Sequence, residues 1–305
     1  MSTHTDLIRR MSIDLGMLPG QLESIIKTAP LRYKKFSIPK RDGSLREIAQ
    51  PAREVKAIQR WIVTELRKYL PIHAAATAYE KCSSIVHNAE AHKGRRFILK
   101  MDLRNFFPSI GYKDLELHLT TYCRDKYNSH ELKQILFSCL WARNRIPSLT
   151  LCIGAPSSPF LSNSIMYDFD LAMSAQASSD GVTYTRYADD LTFSVNRENV
   201  LMSYPNHVER FIAQVGCPSF EINTRKTVHA SRAGKQVVTG LILTPDGRLS
   251  VGRDRKRLAR AMFHRAEQGQ LSDQEVLHLR GLLSFIDSVE PKFSDRLRKR
   301  YLSNE

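Results

Sequence analysis

Two adjacent carboxylates, Asp189 and Asp190, sit between short, β-prone apolar runs: Val182-Thr183-Tyr184 before them and Leu191-Thr192-Phe193-Ser194-Val195 after them. With Tyr187-Ala188 leading into the pair, the pattern predicts a strand, a tight turn and a second strand, a hairpin that lifts both acids out of a sheet. At ~4 Å and an effective dielectric of about 20, two such anions repel by roughly 4 kcal/mol, so a bound cation is the natural relief. Carboxylates paired on a rigid turn suit magnesium and phosphoryl transfer. A solvated turn is the competing reading, since Asp is common in turns.

A third acid shifts that balance. The run Phe97-Ile98-Leu99-Lys100-Met101-Asp102-Leu103 predicts a mostly apolar strand with Asp102 near its end. An acid in that position needs a partner or a metal, and an N-cap or a buried ion pair would also satisfy it. Together the two strands resemble motifs A and C of reverse transcriptases, in which Tyr-Ala-Asp-Asp is the usual form of motif C. The resemblance implies that Asp102, Asp189 and Asp190 are catalytic and hold two magnesium ions, with Leu103 counted beside them among the metal ligands.

Other segments fall in the order this family requires. Ile38 to Ile48 predicts a hairpin around Asp42-Gly43, with Lys40, Arg41 and Arg46 at its tip and flank. Guanidinium forks and a mobile ammonium suit a triphosphate, although a solvated surface hairpin would look the same. By its place before Asp102 it resembles the fingers hairpin. Gly154-Ala155-Pro156 leading into Ser157 to Asn163 is similar to motif B, with Gly154 allowing close backbone approach. The chain departs from the family here, since Ile153 stands where Gln usually precedes this glycine. Phe107, five residues after Asp102, matches the steric gate that excludes a 2′-hydroxyl, whereas Phe106 is expected in the core. Lys226 resembles the motif D lysine, a proton donor to departing pyrophosphate.

Two short signatures narrow the resemblance to retron reverse transcriptases: Asn88-Ala89-Glu90-Ala91-His92 before motif A, and Val238-Thr239-Gly240 after motif D. They imply RNA contacts by Asn88, His92, Val238, Thr239 and Gly240. Asn88 and His92 would share a face of a helix, although a lone helical His is more often a satisfied core or surface residue. The implied partners are a cognate structured non-coding RNA, its branched RNA–DNA product, deoxynucleoside triphosphates and an effector protein from the same locus. A host ribonuclease H is expected to remove template, because no segment is left over for such a domain.

Composition agrees. The chain has 305 residues and a formal net charge of +15, which points to a polyanionic partner. No apolar run approaches the roughly 18 residues of a spanning helix, and Asp6, Arg9, Arg10 and Asp14 interrupt any secretory pattern. Five scattered cysteines without metal-like spacing fit a reducing bacterial cytoplasm. Helical spacing is expected within 5–27, over 51–70 with Val55, Ile58, Trp61, Ile62, Leu66 and Leu70 as its stripe, and over 113–141. A strand over 237–243 and the turn Pro245-Asp246-Gly247 mark a boundary. Beyond it lie basic helices carrying Arg253, Arg255, Lys256 and Arg257, with Leu277, Leu279, Leu282, Leu283, Phe285 and Ile286 as a small core.

The expected fold is α+β, a right-hand polymerase. Residues 1–245 would form N-terminal helices (1–30), fingers and a palm with a ferredoxin-like antiparallel sheet, and 246–305 a small helical thumb. The thumb's basic residues would track an RNA backbone. Three alternatives stay open: another group II-like or diversity-generating reverse transcriptase, a scaffold holding RNA–DNA and an effector, and a two-metal nuclease, which would not explain the fingers hairpin or Phe107.

Overall fold

The computed structural model describes residues 4–40, 43–143 and 148–302; Arg41, one of the expected triphosphate ligands, lies outside them. Two N-terminal helices, α1 (Asp6–Leu15) and α2 (Pro19–Thr28), open the chain. Thr5 caps α1 by accepting from the Ile8 amide, and Gly16 closes it in the left-handed region at φ 63°. Strands β1 (Tyr33–Pro39) and β2 (Leu45–Pro51) pair antiparallel from Tyr33↔Pro51 to Pro39↔Leu45, forming the fingers hairpin. Pro51 ends β2, so the following helix α3 begins later than its periodicity suggested, spanning Arg53–Leu66. Its stripe of Val55, Ile58, Ile62 and Leu66 is buried against α1 and α2.

A short helix α4 (Ile85–Glu90) precedes the central strand β3 (Phe97–Arg104). The expected helix over 113–141 is two, α5 (Tyr112–Cys123) and α6 (Ser129–Cys139). Asn128 divides them with a capping box to Glu131, and Trp141 starts a small pair, β4 (Trp141–Ala142) with β5 (Leu149–Thr150). Helices α7 (Ser158–Ile165) and α8 (Tyr167–Asp180) follow, then β6 (Thr183–Tyr187), β7 (Asp190–Val195) and α9 (Tyr204–Val215). Two short strands, β8 (Glu221–Ile222) and β9 (Val228–Ser231), complete the palm.

The palm sheet runs β6-β7-β3, and β8 and β9 both pair with the other side of β3, all antiparallel. Period-two alternation divides β3 between two environments. Leu99, Met101 and Leu103 enter the main core with Leu115 and Leu119 of α5, Phe160 of α7, Phe169 and Met173 of α8, and Val208 of α9. The opposite face carries Ile98, which joins a second core, and then Lys100 and Asp102.

That second core belongs to the C-terminal part and corrects two expectations. The strand expected over 237–243 is a hairpin, β10 (Gln236–Val238) and β11 (Leu241–Leu243), turned by Thr239 and Gly240 at φ 45° and 79°. Both values are positive, as a type I′ turn requires. A third strand, β12 (Leu249–Ser250), pairs with β11 through Ile242↔Ser250 and Leu243↔Leu249. The turn expected to mark a boundary at 245/246 therefore lies between two paired strands, in a packing unit that includes β10 from Gln236. Val238, Leu241 and Val251 share its core with Ala259, Ile286 and Phe293 of helices α10 (Arg253–Glu267), α11 (Asp273–Val289) and α12 (Phe293–Leu302). Leu277, expected inside, is 65% exposed. No helix among the described residues is long and apolar enough to cross a membrane.

Candidate active site

The apolar run before Asp102 fixes where that acid goes. β3 and β7 pair so that Asp102 and Asp190 are direct cross-strand partners. Asp189 occupies the β6–β7 turn, and its carbonyl accepts from the Leu103 amide at 3.0 Å. Ala188 makes the turn tight by adopting φ 58°. Asp102 thus meets the adjacent pair Asp189 and Asp190, remote from it in sequence, at one end of the sheet. Asp102 is 5% exposed, while Asp189 and Asp190 are half-buried.

Crowding of like charge shows in their acidities. Burial, followed by the charges of Asp190 and Asp102, pushes the Asp189 carboxyl up to about 6. Asp190 is raised as well, by burial first and by Asp102, with Lys100 and Lys226 opposing. Asp102 has partners within the chain: Lys226 donates to its Oδ2 at 2.7 Å and Asn223 Nδ2 to its Oδ1 at 3.0 Å. Burial would lower the Lys226 pKa, but the hydrogen bond and charge of Asp102 outweigh it and raise it.

No group of three or more His, Cys, Asp or Glu side chains among the described residues is already gathered into a cation cage. The donor chemistry nevertheless fits a divalent ion. Three hard carboxylates repel one another, and an ammonium already sits where added positive charge would be welcome. Leu103 is the exception among the expected ligands, because its side chain is buried in the core and only its carbonyl has a donor to offer.

The fingers hairpin and the glycine loop meet directly. The Ala49 amide of β2 donates to Ile153 O at 2.9 Å, locking the hairpin to the loop before α7. Gly154 has φ 115°, and a Cβ there would lie 2.8 Å from Ala49 O, so this contact requires glycine. Lys40 closes the hairpin by donating its amide to Ser44 O at 2.7 Å, and Arg46 is exposed opposite Ile38. Phe107 is half-buried, whereas Phe106 is buried and stacked on Phe220 at 5.4 Å. A cleft of about 420 Å³ is lined by Phe107, Gly154, Ala155, Tyr79, Lys56 and Arg60, among others.

The expected RNA contacts require correction. Asn88 and His92 are completely buried. Asn88 Oδ1 accepts from Thr77 Oγ1 at 2.8 Å. The His92 ring bridges β6 and β7, with Nδ1 2.7 Å from Ser194 Oγ and Nε2 2.8 Å from Thr185 Oγ1. Neither side chain has a surface to offer RNA; His92 directly braces the hairpin that carries Asp189 and Asp190, and Asn88 holds Thr77, whose hydroxyl also lies 3.1 Å from Arg186 O. Val238 is also fully buried. Thr239 Oγ1 donates to Ile85 O at 2.8 Å, which leaves Gly240 as the exposed member of that triplet. Among the basic residues of α10, Arg253 and Arg257 are exposed, while Lys256 pairs with Glu290 at 3.0 Å and Arg255 donates to Gly240 O at 3.0 Å.

Sequence reasoning missed a buried hub beneath the acidic turn. Arg186, 0% exposed, binds Asp170 of α8 at 2.6 Å and donates to Ala188 O at 3.1 Å and Asn163 Oδ1 at 3.1 Å. Tyr184 donates to the same Asp170 at 2.7 Å. The signal that could have revealed it was a charged residue, Arg186, inside a β-prone run of threonines and tyrosines, since a charge that becomes buried there demands a partner.

The sequence model of the family described as reverse transcriptase (RNA-dependent DNA polymerase) matches residues 38–256. The retron Ec83 reverse transcriptase of Escherichia coli is 40% identical over 303 residues, covering 95% of each chain. The retron Mx65 reverse transcriptase of Myxococcus xanthus is 31% identical, covering 98% of this chain and 71% of its own. The retron Ec86 reverse transcriptase of Escherichia coli is 33% identical, covering 93% and 87%. A solved telomerase from Candida albicans superposes with a TM-score of 0.49 at 13% identity, over 86% of this chain and 56% of that one.

Proposed function

Because this chain belongs to the retron reverse transcriptases, a family of RNA-directed DNA polymerases, we propose that it copies a cognate structured RNA into a DNA that stays joined to it. The proposed template is a non-coding RNA from the same locus, and the proposed primer is the 2′-hydroxyl of a guanosine within it, giving a branched product. The observation that supports this polymerase site most is the meeting of Asp102, Asp189 and Asp190 at one end of the sheet.

Asp102, Asp189 and Asp190, with the Leu103 carbonyl, are the groups proposed to hold two magnesium ions. Bound there, the ions would ease deprotonation of the primer hydroxyl and neutralise charge on the leaving pyrophosphate. The chain's own residues supply the rest. Lys40 and Arg46, with Arg41 beyond the described residues, would grip the triphosphate. Gly154 lets the loop backbone approach the nucleotide, and Phe107 closes the space that a 2′-hydroxyl would need. Lys226, with a side chain 59% exposed, would release Asp102 and give a proton to pyrophosphate. RNA beyond the active site would lie along Gly240, Arg253 and Arg257, whose contacts would be to phosphate. The fingers and palm would end near Gln236, and the helical thumb would follow. Removal of template by a host ribonuclease H, and service in antiphage defence with an effector from the same locus, complete the proposal.

The test is to purify the protein from cells carrying its flanking locus and treat the bound nucleic acid with ribonuclease and with debranching enzyme. A short DNA joined 2′–5′ to RNA is expected from the wild type and none from Asp189→Asn/Asp190→Asn. Bound RNA without DNA in both samples would overturn the branched-product reading in favour of a scaffold.

A further inference from the structure

Tyr79 is a large aromatic residue, 46% exposed, in a segment whose neighbours are all held. The residues before it run beside β6: Arg186 N donates to Ala75 O at 2.7 Å, and Thr77 N donates to Arg186 O at 2.8 Å. Asn163 Nδ2 donates to Ala78 O at 2.7 Å. On the other side, Glu80 pairs with Arg67 at 2.8 Å. Tyr79 itself takes φ 66°, a left-handed conformation uncommon for any residue with a side chain. Such strain persists where surrounding structure over-determines it, and it collects at functional sites.

This scaffold delivers the ring to a particular place. β6 ends at the acidic turn, so main-chain bonds tie Tyr79 to the position of Asp189. The Tyr79 ring lies 6.4 Å from the Phe107 ring at an interplanar angle of 44°. Both line the cleft of about 420 Å³ shared with Gly154 and Ala155. The phenol lies close enough to Asp189 and Arg46 to sense both charges. Its hydroxyl has no hydrogen-bond partner among the described residues. Burial first, and then the charge of Asp189, push its pKa up to about 12, so it brings no negative charge to a site meant for phosphates.

We propose that Tyr79 is a specificity-determining residue whose ring braces Phe107 and forms with it one aromatic floor under the sugar of the incoming nucleotide. The proposal rests on the polymerase reading above and extends it: rejection of a 2′-hydroxyl belongs to two rings on separate segments. Phe107 already packs on the buried Phe106, with ring centroids 5.5 Å apart. Tyr79 contacts it from a second segment and so limits its freedom to tilt away from an added hydroxyl.

The experiment compares kcat/KM for deoxyribo- and ribonucleotides on a primed RNA template for wild type, Tyr79→Phe, Tyr79→Leu, Phe107→Val and the Tyr79→Leu/Phe107→Val double variant. Thermal midpoints are measured alongside. Tyr79→Phe keeps the ring and should hold discrimination within about twofold of wild type, whereas Tyr79→Leu should lower it about tenfold. The double variant should discriminate no worse than Phe107→Val alone, because both changes open the same floor. Wild-type discrimination in Tyr79→Leu, at an unchanged thermal midpoint, would overturn the proposal. If Tyr79→Leu fails to fold, a Tyr79→Met/Phe107→Val double variant whose loss equals the sum of the two single losses would overturn it instead. Failure of wild type to incorporate deoxynucleotides would count against the polymerase reading, which separates the two failures.

Discussion

At the scale of single residues, the side chains that matter most here hold others in place. His92 is the clearest case. Its two ring nitrogens reach Ser194 and Thr185, on the paired strands β7 and β6, so one imidazole clamps the hairpin that carries Asp189 and Asp190. Burial, and then the charge of Arg95, pull its pKa down to about 3, so the ring stays neutral in the folded protein. In the unfolded chain it takes a proton below about 6.5. Between those values the unfolded state binds more protons, so stability falls as pH drops from about 6.5 towards 3, by up to ~1.4 kcal/mol per pH unit. His118, bonded to Ser164 at 2.8 Å and lowered by burial to about 4, adds a second group over much of that window. Urea titrations from pH 7.5 to 5 should therefore show a falling midpoint in wild type. His92→Gln should be less stable at pH 7.5 by roughly 1–3 kcal/mol, with a shallower pH dependence. An undiminished slope in that variant would assign the acid sensitivity to other groups.

At the scale of elements, β6 is fastened to α8 by a completely buried ion pair, Arg186 with Asp170. Removing one partner leaves an uncompensated buried charge, so Arg186→Met alone should cost about 3–5 kcal/mol. Arg186→Met/Asp170→Leu should recover much of that loss in a denaturant titration, since an apolar pair often replaces an ion pair at little cost. If the double variant is as unstable as the single, the hydrogen bonds to Ala188 and Asn163 dominate over the charge pairing. The hub also marks how far the sequence could be followed. Strands ending in Asp102 and flanking Asp189 were legible because apolar runs and turn residues declare themselves locally, as did the stripe of α3. That Asp102 would share a site with Asp189 and Asp190 came from the resemblance, and its direct pairing with Asp190 came from the structure, because register between distant strands leaves no local trace. Asn88 and His92 misled because nothing near them says that Thr77, Thr185 and Ser194 close over them. Thr239 hid a hairpin, since a β-branched residue at φ 45° is one that sequence rules exclude from such turns. Tyr79 carried no spacing signal; its position follows from bonds to β6 and α7 that form only in the folded chain.

At the scale of the whole molecule, a formal charge of +15 is neither uniform nor all available to a ligand. In the first turn of α10, Lys256 is taken up by Glu290 and Ser250, while Arg255 is held by Gly240 O and lies 5.4 Å from the Phe285 ring. Those two cations maintain the packing of the small sheet, α10 and α11. Arg253 and Arg257 are exposed, and they stand one helical turn apart on one face. If these two contact RNA phosphate, each contributes to the release of condensed counterions, and the logarithm of affinity falls with the logarithm of salt by about 0.7–0.9 per contact. Binding of the cognate RNA, measured by fluorescence anisotropy between low and moderate salt, should lose about 1.5 from that slope in Arg253→Gln/Arg257→Gln. Lys256→Gln should instead lower thermal stability and leave the slope near its wild-type value, because its charge is already committed within the protein. Equal slopes in wild type and the Arg253→Gln/Arg257→Gln variant would move the RNA backbone to another face. A slope change in Lys256→Gln alone would mean that RNA displaces Glu290 and remakes the base of the thumb on binding.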